Sequence, residues 1–129
     1  MDQQFDDGLK IRTEVMGEKF VAAAFDNADA FTAPIQEFVT RNAWGTVWCR
    51  DGLTLKTRSL ITLSMLIALG RSQEIKGHVR GALTNGVTPE ELREVLLHAT
   101  VYCGVPLVMD ATRSVQEVLK AVMDEGRSD

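Results

Sequence analysis

Glu74 and His78 stand four residues apart in the stretch RSQEIKGHVRGALTNG, residues 71–86. On a helix this spacing stacks both side chains on one face, within hydrogen-bonding reach. A histidine oriented by a carboxylate is a minimal acid-base unit, because imidazole changes charge near neutral pH and its partner fixes its direction. Ordinary surface pairing uses the same spacing, and a glutamate in a first turn also complements the helix dipole. Ser72 is the expected N-cap and Asn85-Gly86 the expected stop.

Other residue types with chemical capacity are few. Cys49 and Cys103 are far apart in sequence, and with two histidines they form no ligand-like spacing, so no metal site is expected. Both cysteines read as small buried apolar residues. Arg58 and Ser59 open an otherwise apolar helix and are its only residues able to face a polar cavity. Trp44 and Trp48, also four apart, read either as core packing or as the wall of a pocket for a flat ligand. Glu91, Glu94 and His98 share the outer side of a later helix and read as a solvated face.

The elements that must position these residues are helical throughout. Phe5 to Met16 carries apolar residues at helical spacing and stops at Gly17; Lys19 to Phe25 follows, then a turn-rich loop. Thr32-Ala33-Pro34 starts a helix on which Ile35, Phe38, Val39, Ala43 and Val47 trace one apolar face. Thr54 opens the next, apolar around nearly its whole circumference to Leu69, which predicts burial by its own chain or by a neighbouring subunit. Thr88-Pro89-Glu90-Glu91 combines an N-cap, a first-position proline and a capping-box glutamate. Pro106 begins the last helix, with Leu107, Val108, Ala111, Val115, Val118, Leu119 and Val122 inward and a tail fraying from Asp124. No alternating strand pattern interrupts this. The expectation is one all-α domain, residues 1–129, of six or seven helices.

Composition narrows the function classes. With 129 residues, 45% hydrophobic and 25% charged, the chain is long enough to bury a core and too apolar for disorder. A net charge of -4 argues against a nucleic-acid surface. The longest apolar stretch, Leu60 to Leu69, falls far short of the ~18 residues of a membrane span. Two distant cysteines and an acidic start without an apolar leader predict a reduced, cytoplasmic setting.

Three blocks then carry a resemblance: TRNAWGTVW, TRSLITLSMLIAL, and the Glu-x-x-x-His helix followed by NGVT and YCGVP. From about Leu9 to the last helix the chain resembles the carboxymuconolactone decarboxylase family, in the alkylhydroperoxidase-like superfamily. Redox members of that superfamily carry Cys-x-x-Cys-x-x-x-His on this helix. Here Arg71 and Glu74 match the cysteines, His78 matches the histidine, and Ser59 matches a proton-relay glutamate. Without thiols at those positions, peroxide chemistry through this helix is excluded. Departures from the decarboxylase pattern are Asn42, His98 and the last helix, MDATRSVQEV.

The resemblance implies an alkylhydroperoxidase-like fold and cofactor-free decarboxylation of a small anionic lactone, 4-carboxymuconolactone, to the enol-lactone of 3-oxoadipate in protocatechuate catabolism. The unsaturated lactone is its own electron sink. Within that chemistry His78 is the expected acid and Glu74 the group that orients it and raises its pKa, with the exchanged roles left open. Arg58 is the expected carboxylate clamp, with Arg41, Arg71 and Arg80 as further candidates, Ser59 as a hydrogen-bond donor and Trp44 as an apolar wall. A homohexamer built as a trimer of dimers is also implied. Two alternatives stay open: a decarboxylase or lactone-processing enzyme for a related substrate, and a non-catalytic helical binding or assembly protein.

Overall fold

A computed structural model describes residues 2–127, and among them every regular element is a helix. The chain divides into two compact units, Met1–Leu55 and Lys56–Asp129. No helix of the described residues is long and apolar enough to cross a membrane.

In the first unit, α1 (Gln3–Met16) begins where Asp2 Oδ1 accepts the Phe5 N–H and ends at Gly17, whose φ of +95° suits glycine. α2 (Glu18–Asp26) and α3 (Ala33–Phe38) follow, and α3 runs directly into a π-helix, Val39–Trp48. There the apolar face expected on Ile35, Phe38, Val39, Ala43 and Val47 is not the buried one. Ile35, Phe38, Ala43 and Val47 are exposed, whereas Thr40, Trp44 and Trp48 are buried. At Ala43 and Val47 the wider i→i+5 winding accounts for the correction: it brings residues four apart nearly into line, so a stripe drawn at α-helical pitch drifts off the true face. Thr40, Trp44 and Trp48 keep that spacing of four.

α1 lies unusually close to the π-helix because glycine faces glycine. A Cβ added at Gly8 would sit 2.0 Å from Thr40 O and 2.8 Å from Gly45 N, and one at Gly45 would sit 2.5 Å from Gln4 O. Gln4 Nε2 donates to Arg41 O at 3.1 Å and also to Thr46 Oγ1. The apolar filling is Val15, Met16, Val21, Trp44 and Trp48.

The second unit holds α4 (Leu55–Leu69, whose first residue ends the first unit), α5 (Ser72–Thr84), α6 (Pro89–Cys103) and α7 (Val105–Arg127). α4 buries Ser59, Leu63 and Ile67, a stripe at four-residue steps, but Met65 is 61% and Leu69 72% exposed. The chain's own fold therefore covers one side of this all-round apolar helix. Leu63 and Ile67 join Ile75, Val79 and Ala82 of α5, Leu92 and Ala99 of α6, and Val108, Ala111, Val115 and Val118 of α7 in one core.

The boundaries follow local chemistry. Thr88 Oγ1 accepts the Glu91 N–H at 3.1 Å while Glu91 Oε1 accepts the Thr88 N–H at 3.0 Å, so the expected capping box is present. Gly86 and Gly104 end α5 and α6 with φ of +95° and +94°. Two expectations need correction. Arg71, not Ser72, occupies the N-cap of α5, with no side-chain cap, and Ser72 is already helical. The last helix does not fray at Asp124 but continues to Arg127, where Lys76–Glu117 (2.6 Å) and Arg80–Glu125 (2.8 Å) tie α5 to α7. The rest of the expected fraying, at residues 128–129, lies outside the described residues.

Candidate active site on helix α5

The first turns of α5 present Arg71, Glu74 and His78 together. Arg71 Nη2 donates to Glu74 Oε1 at 3.1 Å, on the exposed side of the helix. That hydrogen bond, then the first-turn backbone and the nearby charges of Arg71 and His78, hold the Glu74 carboxyl below the usual carboxylate range. Glu74 is thus an anion at neutral pH. His78, one turn on, is half-buried, because the same helix turns Ile75 and Val79 into the core.

The histidine's charge state departs from expectation. Burial lowers its pKa, and the Glu74 charge offsets only part of that shift, so the net direction is down rather than up. Desolvation of imidazolium outweighs attraction to a carboxylate that water screens. The lowered pKa leaves His78 a neutral imidazole at neutral pH.

Ser59 is fully buried on α4 and its Oγ accepts from Asn85 Nδ2 at 2.9 Å. It fastens the end of α5 to α4. Arg58, beside it, is half-buried. Arg80 is placed elsewhere: both its terminal nitrogens pair with Glu125 of α7. Arg41 lies in the first unit, where its Nε donates to Asp2 Oδ2 at 2.8 Å and its guanidinium stands 5.9 Å from the Phe5 ring. Trp44, in the same unit, is buried with one face on Trp48, the ring centroids 4.7 Å apart and 24° from parallel.

Cys49 corrects another expectation, since it is exposed beside a cleft of about 520 Å³ whose walls include Asp7, Lys10, Glu14, Trp48 and Arg50. Its thiol pKa is pushed up, by burial first and then by Asp7 and Glu14, which keeps it protonated and a poor nucleophile. Cys103 is half-buried. A second groove, about 560 Å³, runs beside Glu94, His98 and Tyr102 on the outer face of α6, and His98 is exposed there as expected. Glu74 and His78 line neither.

Sequence reasoning misses two polar residues. Asn85 reads as a helix stop, although its place in NGVT gives a further signal. Arg12 draws no notice, although it falls four residues after Gly8 and four before Met16, on the buried stripe of α1.

The family model for the carboxymuconolactone decarboxylase family matches residues 33–117. The chain belongs to the carboxymuconolactone decarboxylase family. It is 44% identical over 119 residues to a 4-carboxymuconolactone decarboxylase of Acinetobacter baylyi, covering 92% of this chain and 89% of the relative. It is also 47% identical over 122 residues to a nitrosuccinic acid decarboxylase of Metarhizium robertsii, covering 95% and 85%. Membership accounts for the all-α, alkylhydroperoxidase-like architecture. Both relatives are named as decarboxylases, which supports a carboxy-lyase here.

Proposed function

We propose that the chain decarboxylates 4-carboxymuconolactone to the enol-lactone of 3-oxoadipate without a cofactor, as one enzyme domain. The observation that carries this reading is the Arg71–Glu74–His78 cluster at the start of α5, in a chain 44% identical to a decarboxylase of that lactone. The bond from the ring carbon to its carboxylate breaks, carbon dioxide leaves, and the electron pair enters the conjugated lactone as a dienolate. Imidazolium at His78 then gives its proton to carbon and recovers one from water. Glu74 orients His78 and favours its charged form. Arg58 clamps a carboxylate and Arg71 adds positive charge beside Glu74. Arg41 and Arg80 are weaker candidates, because they pair with Asp2 and Glu125, neither of which belongs to the α5 cluster.

A second reading has its own support. The relative with 47% identity acts on nitrosuccinic acid, where a nitro group takes the electron pair as a nitronate. The two acids share a skeleton: each is a succinate whose carbon 2 bears the departing carboxylate and an electron acceptor. The acid-base cluster serves either sink. Purified protein offered each acid separately, with lactone absorbance and carbon dioxide release followed, is expected to consume the lactone. Turnover of nitrosuccinate alone would establish the second reading, and turnover of neither would defeat both.

We further propose that the protein is cytoplasmic and assembles as a homohexamer, a trimer of dimers. The uncovered apolar side of α4, with Met65 and Leu69, supports an oligomer. Sedimentation at micromolar concentration is expected to show one, and a monomer there would overturn it.

A further inference from the structure

The buried stripe of α1 carries a charge that has no counter-ion among the described residues. Arg12 is only 6% exposed, and burial pushes its pKa down. Its Nη1 donates to Gln36 Oε1 at 3.0 Å and to Thr40 Oγ1 at 3.1 Å, which uses both protons of that nitrogen on neutral acceptors. The Phe25 ring centroid lies 5.8 Å from Cζ, at the outer limit of a cation–π contact. Among the described residues no carboxylate pairs with Arg12. Arg41, Arg71 and Arg80 are all more exposed, and each has one.

The geometry of a guanidinium makes this specific. With Nη1 engaged, Nε and Nη2 remain, and among the described residues neither makes a hydrogen bond. Together they form the side-on fork that receives both oxygens of one carboxylate. A largely buried cation without a counter-ion opposes folding, and a bound carboxylate would relieve that cost.

We propose that Arg12 is a carboxylate-binding residue whose Nε–Nη2 edge receives an anionic oxygen pair, from a free dicarboxylate or from an acidic side chain of a second copy of this chain. The probe for the free ligand is succinate, the plain skeleton of both acids named above. Titrated at constant ionic strength, it is expected to raise the thermal midpoint of the wild-type protein saturably. Arg12→Met keeps the aliphatic stem and removes the charge. This variant is expected to melt no lower than wild type without succinate, and to lose the response. Arg12→Lys keeps the charge without the fork and is expected to bind succinate about tenfold more weakly.

If the carboxylate comes from a second copy, wild type will not respond to succinate and Arg12→Met will sediment as a smaller species. A succinate response that survives in Arg12→Met overturns the proposal. So does an Arg12→Met protein that melts lower than wild type with succinate behaviour and sedimentation unchanged, because Arg12 would then be a structural clamp. None of these readouts uses turnover, so this inference and the decarboxylase reading can fail separately.

Discussion

Replacing His78 by alanine is expected to slow decarboxylation by at least ~10²-fold, the usual worth of a positioned acid, with the circular dichroism spectrum unchanged. Near wild-type turnover would remove His78 from the chemistry. The pH profile gives a sharper check. Burial lowers the pKa of His78 in the free chain, so kcat/KM, which reports the free enzyme, falls as pH rises through a value below the ordinary 6.5. A bound dianion favours imidazolium, so the inflection in kcat is expected at higher pH than that in kcat/KM. The reverse order would contradict an acid role. Glu74→Gln removes the anion that partly offsets burial, and both inflections are expected to move to lower pH. The loss of rate is expected to be smaller, about tenfold, because the Glu74 carboxylate is exposed and screened.

The largest effect on stability is expected at Gly8. An alanine there would bring its Cβ to 2.0 Å from Thr40 O and 2.8 Å from Gly45 N, both backbone atoms of a helix that cannot yield one atom at a time. Overpacking of this kind is expected to cost at least ~3 kcal/mol, read by urea unfolding. Gly52→Ala is the control, since a methyl added there meets nothing within 4 Å and the φ of Gly52 is ordinary. It is expected to change stability by less than ~0.5 kcal/mol. Equal midpoints for the two variants would refute the close approach of α1 to the π-helix.

Local chemistry is legible in the chain, and tertiary chemistry is not. Gly17, Gly86 and Gly104 mark helix ends because a positive φ is a single-residue property, and Thr88 with Glu91 marks a start because a capping box spans four residues. The neighbourhood of Glu74 and His78 is equally local. What escapes depends on distant partners. Arg80 meets Glu125 45 residues away and Arg41 meets Asp2 39 residues away, so neither pairing leaves a mark on its own helix. The direction of the His78 shift is set by how deeply α5 sinks into its unit. Arg12 escapes because a charged residue is expected to face outward, and the π-helix because apolar periodicity is measured at α-helical pitch.

Both tryptophans of the chain sit in one stacked pair, Trp44 on Trp48, inside the first unit. The protein's entire indole emission therefore originates in Met1–Leu55, and two rings 4.7 Å apart couple their transitions into an exciton signal in circular dichroism. Backbone ellipticity, by contrast, is summed over the helices of both units. Denaturation followed through each channel then yields two curves with different regional weight. Superposition would mean that the units melt as one cooperative body, and displacement of the indole curve would give the first unit a stability of its own.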